Sequence, residues 1–324
     1  MKTTIRDIPA RQRENYEALS LGFKPSGRLH LGSVLTLAHA FTYAQQHPTT
    51  SIQIDVMDLD YDPQRGNQYP SFLHLRDQTG RLMSDLTAEE LQIVTDDLTD
   101  ICGLPTNPAR VRKFSQTLRQ PAYFERIARK FRDRTTNGNI QREIFGKTKY
   151  HDWAVPFTPI CPCCNTSNTH FGRFNNDKTR LSAICQKFTC PNGGQRYDVP
   201  FEPGQFNMHY FVDPSRDLFP TEDGKTVGLH LFGGDYERPH GPQRTVKATK
   251  IANITAMLSE PGDTQPDHFI GPTLTWGGEK VSKSAAGVAY STQPDRKELA
   301  RRLIEAAGRG TPEIEFGSIR PGND

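Results

Sequence analysis

Two short segments, far apart in the chain, contain the residue types that bind phosphate groups. The first, residues 25–33, has the sequence PSGRLHLGS and lies where a strand-like run gives way to a helix-like one. Backbone N–H groups and the positive end of the helix dipole would face an anion there. His30 could donate a hydrogen bond to a phosphate oxygen, and Gly32 would let an adenine lie against the backbone. Considered alone, the segment also fits an ordinary helix cap.

The second segment, residues 277–284, has the sequence GGEKVSKS. Its two lysines, Lys280 and Lys283, lie three residues apart in a loop that glycines leave mobile, beside the hydroxyl groups of Ser282 and Ser284. Two ammonium groups would neutralise a departing pyrophosphate, which stabilises the transition state more than the ground state. Considered alone, a short basic run is more often a solvated surface loop.

An acidic turn, residues 58–65 with the sequence DLDYDPQR, follows a predicted strand between these two segments. Ligands of open α/β sheets bind at the carboxyl ends of the strands. Asp58 and Asp60 are therefore candidates for holding the ammonium group of an amino acid. A hydrated turn that ends at Pro63 is the alternative.

Five of the six cysteines lie close together in one segment, and four of them form two close pairs with the spacing of a zinc ribbon. The four favoured ligands are Cys161, Cys164, Cys185 and Cys190. A closed set of four thiolates predicts a structural Zn²⁺ rather than a catalytic one. Cys163 is the spare, although it could replace Cys161 or Cys164, and His170 is a weaker substitute. Cys102 is predicted to be a buried apolar residue.

Together, the HLGS of residues 30–33 and the KVSKS of residues 280–284 resemble the HIGH and KMSKS motifs of class I aminoacyl-tRNA synthetases. The resemblance implies a Rossmann-like domain that forms an aminoacyl-adenylate from ATP and an amino acid and releases pyrophosphate. It implies catalytic roles for His30, Lys280 and Lys283. Two departures are Ser33 at the place of the second motif histidine and Val281 at the place of methionine.

The acidic turn and a late glycine-rich segment resemble those of one branch, the class I lysyl-tRNA synthetases. The turn has the pattern D-x-D-P-x-R, and the later segment FGGD at residues 232–235 would lie near ATP, with Asp235 at a ribose hydroxyl. The glutamyl branch has Arg-Ile-Glu before its acidic turn, whereas residues 57–59 are MDL here. Lysine or an amine-bearing analogue is therefore favoured over glutamate. The implied ATP-binding residues are Gly27, His30, Gly32, Ser33, Gly233, Gly234, Asp235, Lys280, Ser282 and Lys283.

The elements that must position these residues alternate between strand and helix patterns. Strands are predicted at 16–23, 51–57 and 227–232, and helices at 34–41, 86–103 and 245–258. Gly103 before Pro105 should end the second of these helices. The predicted fold class is α/β, a Rossmann-like doubly wound parallel sheet with an inserted domain that contains the zinc ribbon.

We predict four parts in the chain: the first half of the catalytic domain (1–119), an inserted connective domain with the zinc ribbon (120–215), the second half with the KMSKS-like loop (216–292) and a short C-terminal tail (293–324). A helix-like basic run at 122–134 could follow RNA phosphates or form a solvated face. Its basic residues are Arg126, Arg129, Lys130, Arg132 and Arg134.

The composition is that of a folded protein with little net charge. With 324 residues, 35% of them hydrophobic and 24% charged, the chain can bury a core without disulfides. A net charge of +3 allows a nucleic-acid partner without requiring one. No run resembles a signal peptide or a membrane span, which predicts a cytoplasmic protein with no membrane partner.

The leading hypothesis is ATP-dependent activation of lysine or a lysine-like amino acid and its transfer to an acceptor. We expect ATP as substrate, Mg²⁺ held mostly by phosphate oxygens, and a tRNA acceptor stem as the acceptor, with no anticodon-binding domain after the second motif. One alternative keeps the adenylation chemistry with a small molecule, peptide or carrier protein as acceptor, as in biosynthesis of a specialised metabolite. Another is a catalytically idle RNA-binding paralogue.

Overall fold

The computed structural model describes residues 15–62, 69–146, 154–167, 172–233, 239–240, 245–271, 273–276, 279–280, 290–308 and 313–315. The strands in these ranges are β1 (Ala18–Phe23), β2 (Ser51–Val56), β3 (Tyr69–Pro70), β4 (Ala109–Lys113), β5 (Ala154–Val155), β6 (Thr158–Pro159), β7 (Thr166–Ser167), β8 (Gly172–Phe174), β9 (Arg180–Ile184), β10 (Arg196–Pro200), β11 (Phe206–Asn207), β12 (Val227–Phe232), β13 (Pro239–His240), β14 (Thr245–Val246), β15 (Asp267–Ile270), β16 (Thr273–Trp276), β17 (Glu279–Lys280) and β18 (Glu313–Glu315). The α-helices are α1 (Leu31–Gln46), α2 (Met83–Cys102), α3 (Phe114–Leu118), α4 (Pro121–Arg132), α5 (Arg134–Phe145), α6 (Val212–Arg216), α7 (Lys247–Leu258) and α8 (Arg296–Gly308).

A parallel sheet with the strand order β15-β12-β1-β2-β4 forms the centre of the fold. All four neighbouring pairs run parallel. The order reverses at β1, since β2 and β4 lie on one side of it and β12 and β15 on the other. This arrangement confirms the predicted Rossmann-like α/β class, in which ligands bind beyond the carboxyl ends of the strands at such a reversal.

The two faces of this sheet differ in chemistry. Leu19 and Leu21 of β1, with Ile52 and Ile54 of β2, pack in one core with α1, α2 and α8. The opposite face is buried but polar: the register places Arg112, Asp55 and Gly22 side by side. The next row of the same face contains Gln53, Ser20, His230 and His268. Parallel sheets usually bury apolar side chains on both faces, so this polar face is a specific feature of the chain.

Several predicted helix boundaries were wrong: the helices expected at 34–41 and 245–258 are α1 (Leu31–Gln46) and α7 (Lys247–Leu258). The helix expected from about residue 86 begins at Met83, because Leu82 is extended and Asp85 supplies the acid of the first turn. Its end was correct, since Gly103 has φ 63° and caps the helix in the left-handed conformation. The basic run at 122–134 is divided between α4 and α5, because the Asp133 carboxylate accepts the N–H of Thr136 at 2.7 Å and caps a new helix.

The chain between β4 and β12 forms the insertion, which adds no strand to the parallel sheet among the described residues. It contains an antiparallel sheet in the order β10-β9-β8-β5. Its core is rich in phenylalanine and includes Met57 and Leu59, which follow β2 directly. The insertion therefore packs against the carboxyl edge of the parallel sheet. The domain boundaries at 119, 215 and 292 stay predictions.

Within the described ranges, every helix is too short or too polar to cross a bilayer.

Candidate functional site

The turn between β1 and α1 carries His30 and Gly32 at the carboxyl edge of the sheet. His30 is the N-cap of α1, with extended backbone, and its carbonyl oxygen accepts the N–H of Ser33 at 2.9 Å. The helix is 16 residues long and has no acidic residue in its first turn. Gly27 has φ 151°, which side chains other than glycine disfavour. The turn thus exposes the positive end of a long helix, a general anion-binding arrangement.

The imidazole of His30 lies against this first helical turn. The Oγ of Ser33 is 3.3 Å from Nε2 of His30. A Cβ added at Gly32 would lie 3.1 Å from both Cε1 and Nδ1 of the ring. Any larger residue at position 32 would push the imidazole away from its present place, which gives a steric reason for glycine there.

Glu90 of α2 ties this turn to the chain that follows the lysine-rich segment. Its carboxylate accepts the N–H of Leu29 at 2.8 Å and the hydroxyl of Ser291 at 2.8 Å. The N–H of Tyr290 donates to the carbonyl oxygen of Leu29 at 3.1 Å. Tyr290 itself is fully buried, with its hydroxyl 3.1 Å from Asp97. The chain leaving the lysine-rich segment is therefore anchored one residue before His30.

The structure describes only part of the other predicted ATP-binding residues. Gly233 follows β12 at the carboxyl edge of the parallel sheet. The backbone of Lys280 lies in β17, which pairs with β16. The remaining predicted positions, Gly234, Asp235, Ser282 and Lys283, lie outside the described residues.

Asp58 caps the start of α3. Its carboxylate accepts the N–H of Ser115 at 2.8 Å and the hydroxyl of Ser115 at 2.5 Å. Burial raises the pKa of Asp58, and these hydrogen bonds oppose the rise. Both oxygens therefore have partners within the protein.

Asp60 is fully buried at the centre of a small charged cluster. Its Oδ2 lies 2.5 Å from Nζ of Lys24, and its Oδ1 lies 2.7 Å from Nδ1 of His209. Oδ1 also accepts the N–H of Tyr61 at 2.8 Å. Burial alone would raise the pKa of Asp60, but the charges of Lys24 and His209 hold it well below its ordinary value. Asp60 is thus an ionised carboxylate that the protein itself neutralises.

His209 reaches this cluster from the end of the insertion. The N–H of Met208 donates to the carbonyl oxygen of Leu59 at 2.7 Å, which joins the insertion to the chain beyond β2. His209 has φ 23°, a strained value for a residue with a side chain. Its ring stacks on Tyr61 with centroids 4.5 Å apart. The fold therefore holds the imidazole of His209 in place although its backbone conformation is strained.

A second charged cluster lies within the polar face of the parallel sheet. The side chain of Arg216 is completely buried and lies over Gly22. Its Nη1 is 3.9 Å from Oδ2 of Asp55, and its Nη2 is 3.5 Å from Oδ1 of Asp213. Nη2 also contacts Nε2 of His230. The guanidinium therefore links β2, α6 and β12 across the middle strand.

Asp217, His230 and His268 continue this cluster and have the residue types of a metal site. Nδ1 of His230 lies 2.5 Å from Oδ1 of Asp217, and Nε2 of His268 lies 3.2 Å from Oδ2. Burial lowers the pKa of His230 to about 4, so the ring is neutral. Because the guanidinium of Arg216 contacts the same imidazole, the cluster already contains a cation.

The four predicted zinc ligands come together in the insertion. The Sγ atoms of Cys161, Cys164, Cys185 and Cys190 lie within 4.8 Å of one another. Cys161 and Cys190 are 3.9 Å apart, and Cys164 and Cys185 are 3.8 Å apart. Tetrahedral Zn²⁺ with bonds of about 2.3 Å separates its sulfur ligands by about 3.8 Å. Cys163 is exposed, as expected for the spare. The cluster therefore fits a structural zinc ion.

The basic residues of α4 bind the loop after α7. Arg126 and Arg129 form ion pairs with Asp263 and Glu260. Nζ of Lys130 donates to the carbonyl oxygen of Ser259 at 2.7 Å. The sequence left two alternatives for this run, a stretch that follows RNA phosphates and a solvated face. The contacts show a different role for these three side chains, which hold the insertion to the chain after α7.

Sequence reasoning missed Lys24, His209, Glu90 and Tyr290. Lys24 lies directly after β1 and before the PSG turn, so its position at the carboxyl edge was a usable signal. The other three residues had no usable signal in the sequence. His209 acts only because the insertion returns to residue 60, and Glu90 is one of several acids on a helix surface.

No protein-family model and no curated protein matches this sequence. Among solved structures, it is similar to the tyrosyl-tRNA synthetase of Aeropyrum pernix at 13% identity and a TM-score of 0.43, covering 89% of this chain and 63% of that one. The tyrosyl-tRNA synthetase of Archaeoglobus fulgidus, complexed with L-tyrosine, is similar at 12% identity and a TM-score of 0.42, covering 91% of this chain and 69% of that one.

A putative arginyl-tRNA synthetase of Campylobacter jejuni gives 10% identity and a TM-score of 0.42, covering 94% of this chain and 66% of that one. The chain thus spans less than two thirds of the Aeropyrum and Campylobacter enzymes. These likenesses concern only the path of the chain.

Proposed function

We propose that this protein activates an amino acid with ATP, forms an aminoacyl-adenylate with release of pyrophosphate, and transfers the aminoacyl group to an acceptor. The main support is the anchoring of the chain after the lysine-rich segment next to His30. Tyr290 and Ser291 are bound to Leu29 through a backbone hydrogen bond and through Glu90. The chain that follows the second motif thus returns to the turn that carries the first one, which supports a joint role for the two motifs.

The proposed roles follow from this arrangement. The first turn of α1 and His30 would face the phosphates of ATP, since the helix end attracts anions. Lys280 and Lys283 would neutralise the leaving pyrophosphate. Gly233, Gly234 and Asp235 would hold the ribose, and Mg²⁺ would be bound mainly by phosphate oxygens. The four clustered cysteines would hold Zn²⁺ as a structural ion.

The amino acid is proposed to be lysine or lysine-like on the sequence resemblance alone. The contacts of the acidic turn restrict how the ammonium group of such an amino acid could bind. Asp60 already pairs with Lys24, and Asp58 already accepts two hydrogen bonds from Ser115. A substrate ammonium group would have to displace Lys24 or bind elsewhere. The acceptor is proposed to be a tRNA acceptor stem, with a small molecule, peptide or carrier protein as the alternative.

ATP–pyrophosphate exchange tests the proposal. Each standard amino acid and several lysine analogues are assayed with and without bulk tRNA. We expect exchange with one amino acid, and a loss of about 100-fold in the variants His30→Ala and Lys283→Ala, the size found when one transition-state donor is removed. Arg301→Ala, on the exposed side of α8, is the control and should keep full exchange.

The outcomes separate the alternatives. Exchange without RNA shifts the acceptor towards a small molecule, peptide or carrier protein. Exchange only with tRNA supports an RNA acceptor. If no amino acid gives exchange under either condition, the adenylation proposal is wrong and the idle RNA-binding paralogue takes its place.

A further inference from the structure

A polar cleft lies at the outer edge of the parallel sheet, beside β4. Its volume is about 310 Å³, and it is lined by Arg112 of β4, by residues of α3 and α4, and by the turn before β12. At about 30 Å³ per water molecule, this space holds a ligand of about ten non-hydrogen atoms. The strand order reverses at β1, two strands away, and α1 packs on the other face of the sheet. The cleft is therefore separate from the turn that carries His30.

Arg112 forms the buried floor of the cleft, with 7% of its side chain exposed. Its Nε donates to Oδ1 of Asp55 at 2.6 Å, and its Nη1 donates to the carbonyl oxygen of Pro220 at 3.2 Å. A guanidinium has five N–H groups in a fixed plane. Among the described residues these two atoms are its hydrogen-bond acceptors, so its other N–H groups are available to a ligand in the cleft.

The turn at residues 220–224 forms a wall that carries a negative charge. Glu222 is exposed, and within the described ranges its carboxylate has neither a hydrogen bond nor an ion pair. Its backbone N–H donates to Oε1 of Gln53 at 3.1 Å, and the N–H of Gly224 donates to the carbonyl oxygen of Thr221 at 3.0 Å. Gly224 has φ 78°, which favours glycine. The Glu222 carboxylate is therefore presented from a fixed backbone.

A second wall of the cleft comes from α3 and the start of α4. Gln116 and Gln120 are exposed at its rim, Thr117 is buried, and Tyr123 is half-buried. The ring of Tyr123 stacks on Phe219 with centroids 4.5 Å apart, which holds the ring in place. Side-chain amides can both donate and accept hydrogen bonds. This wall thus offers neutral polar groups beside an aromatic ring, as small-molecule sites do.

We infer that this cleft binds a small zwitterion of the α-amino acid class, whose carboxylate contacts Arg112 and whose ammonium group contacts Glu222. The buried charges beside the cleft balance in two pairs, formed by Arg112, Arg216, Asp55 and Asp213. Glu222 therefore adds an excess negative charge, which a simple anion would meet. A simple cation would meet Arg112. A zwitterion satisfies both ends, and charge-assisted hydrogen bonds are the stronger kind.

The test uses three probes that differ in their charged ends, and saturation-transfer NMR titrations measure their binding. L-Glutamine has both ends, glutaramic acid lacks the ammonium group, and γ-aminobutyramide lacks the carboxylate. We expect each truncated probe to bind about tenfold more weakly than L-glutamine, because it loses a charge-assisted hydrogen bond. The other standard amino acids are titrated as well, and if one binds more tightly, its own deamino and decarboxy derivatives replace these probes.

Glu222→Gln should weaken binding of L-glutamine about tenfold and leave glutaramic acid unchanged, since it removes only the partner of the ammonium group. Glu202→Gln, at an exposed acid outside the cleft, is the matched control and should bind as the unchanged protein does. Arg112→Lys keeps a charge beside Asp55 but loses the planar fork, so it should weaken L-glutamine and glutaramic acid alike. Circular dichroism shows whether it is folded. Gln120→Trp, at the exposed rim, should block the cleft to all three probes without changing a buried group.

The inference would be overturned if no standard amino acid binds at up to about 10 mM, or if Glu222→Gln and its control lose equal affinity. Glutaramic acid binding as tightly as L-glutamine would show a plain anion site instead. Amino acid binding that Gln120→Trp leaves unchanged would also contradict the inference, since the ligand would then lie outside the cleft. ATP–pyrophosphate exchange is measured on the same variants and should not change. Its absence in the unchanged protein would contradict the proposed function and leave the result at the cleft standing.

Discussion

At the scale of single residues, Lys24 supplies the positive charge that pairs with the acidic turn. It places an ammonium group 2.5 Å from a carboxylate that is fully buried and has His209 as its other partner. The same carboxylate was expected, from sequence, to meet the ammonium group of a substrate. A lysine immediately after β1 supplies that charge from within the chain. The cluster is therefore complete before any ligand binds.

Lys24→Met should make the protein less stable and more sensitive to acid. The folded-state pKa of Asp60 is lower than in the unfolded chain, so its stabilisation is full above the ordinary pKa of about 3.9 and is lost as the pH falls. Without Lys24 the buried carboxylate loses a main partner, its pKa rises, and the loss begins at higher pH. We expect about 3 kcal/mol lower stability at pH 7, measured by urea unfolding between about pH 4 and 8.

Lys113→Met is the control for this change. It removes a lysine whose partner, Asp85, is 44% exposed, so less than about 1 kcal/mol should be lost. Equal losses in the two variants would show that the cluster at Asp60 has no special stability.

At the scale of elements, the parallel sheet is unusual in burying charges on one face. Asp55 of β2 forms an ion pair with Arg112 of β4 at 2.6 Å, and Arg216 crosses β1 above Gly22. A shift of one residue in any strand would move these groups to the apolar side that faces α1. The charged row therefore penalises a one-residue slip of any of these strands.

Gly22→Ala should lower stability by about 1 to 3 kcal/mol, as overpacking of a core does. The new Cβ would lie 2.5 Å from Nη1 of Arg216 and 2.6 Å from Sδ of Met57. Arg216 is completely buried between carboxylates and cannot swing into solvent. The midpoint of thermal or urea unfolding measures the effect.

Gly308→Ala is the matched control, because no atom lies within 4 Å of a Cβ added at this last residue of α8. It should be neutral or slightly stabilising, since alanine favours helix. If Gly22→Ala is as harmless as Gly308→Ala, Arg216 does not occupy the space over β1.

At the scale of the whole molecule, two cores meet at the carboxyl edge of the parallel sheet. The sequence was sufficient for elements with a local signal: β1 and α1 around the PSG turn, the helix end at Gly103, and the cluster of four cysteines. It was not sufficient for the cluster at Asp60 or the anchor at Glu90. Both depend on residues far apart in the chain, and no local pattern shows which acid on a helix will meet which backbone N–H.

Removal of zinc should disrupt one core and spare the other. Cys161, Cys185 and Cys190 are buried in the core of the insertion, whereas the strands of the parallel sheet pack in a separate core with α1. After treatment with a chelator, hydrogen exchange should speed up across residues 154–200. Amides of β1 and β2 should keep their protection.

Cysteine variants provide the control for zinc removal. Cys164→Ser should lose the metal, and Cys163→Ser should keep about one zinc per chain. Equal exchange in both cores after chelation would show that the molecule unfolds as a single unit.

The strand order also has a consequence for synthesis on the ribosome. Ala18 in the middle strand pairs with Ser51 on one side and with Val227 on the other. At about 5 to 20 residues per second, the second partner leaves the ribosome on the order of 10 s after the first. Throughout that interval the nascent sheet has an open edge that can pair with other chains. Slow translation of the insertion would prolong this exposure, so we expect the yield of folded protein to fall when this middle part of the message is translated more slowly.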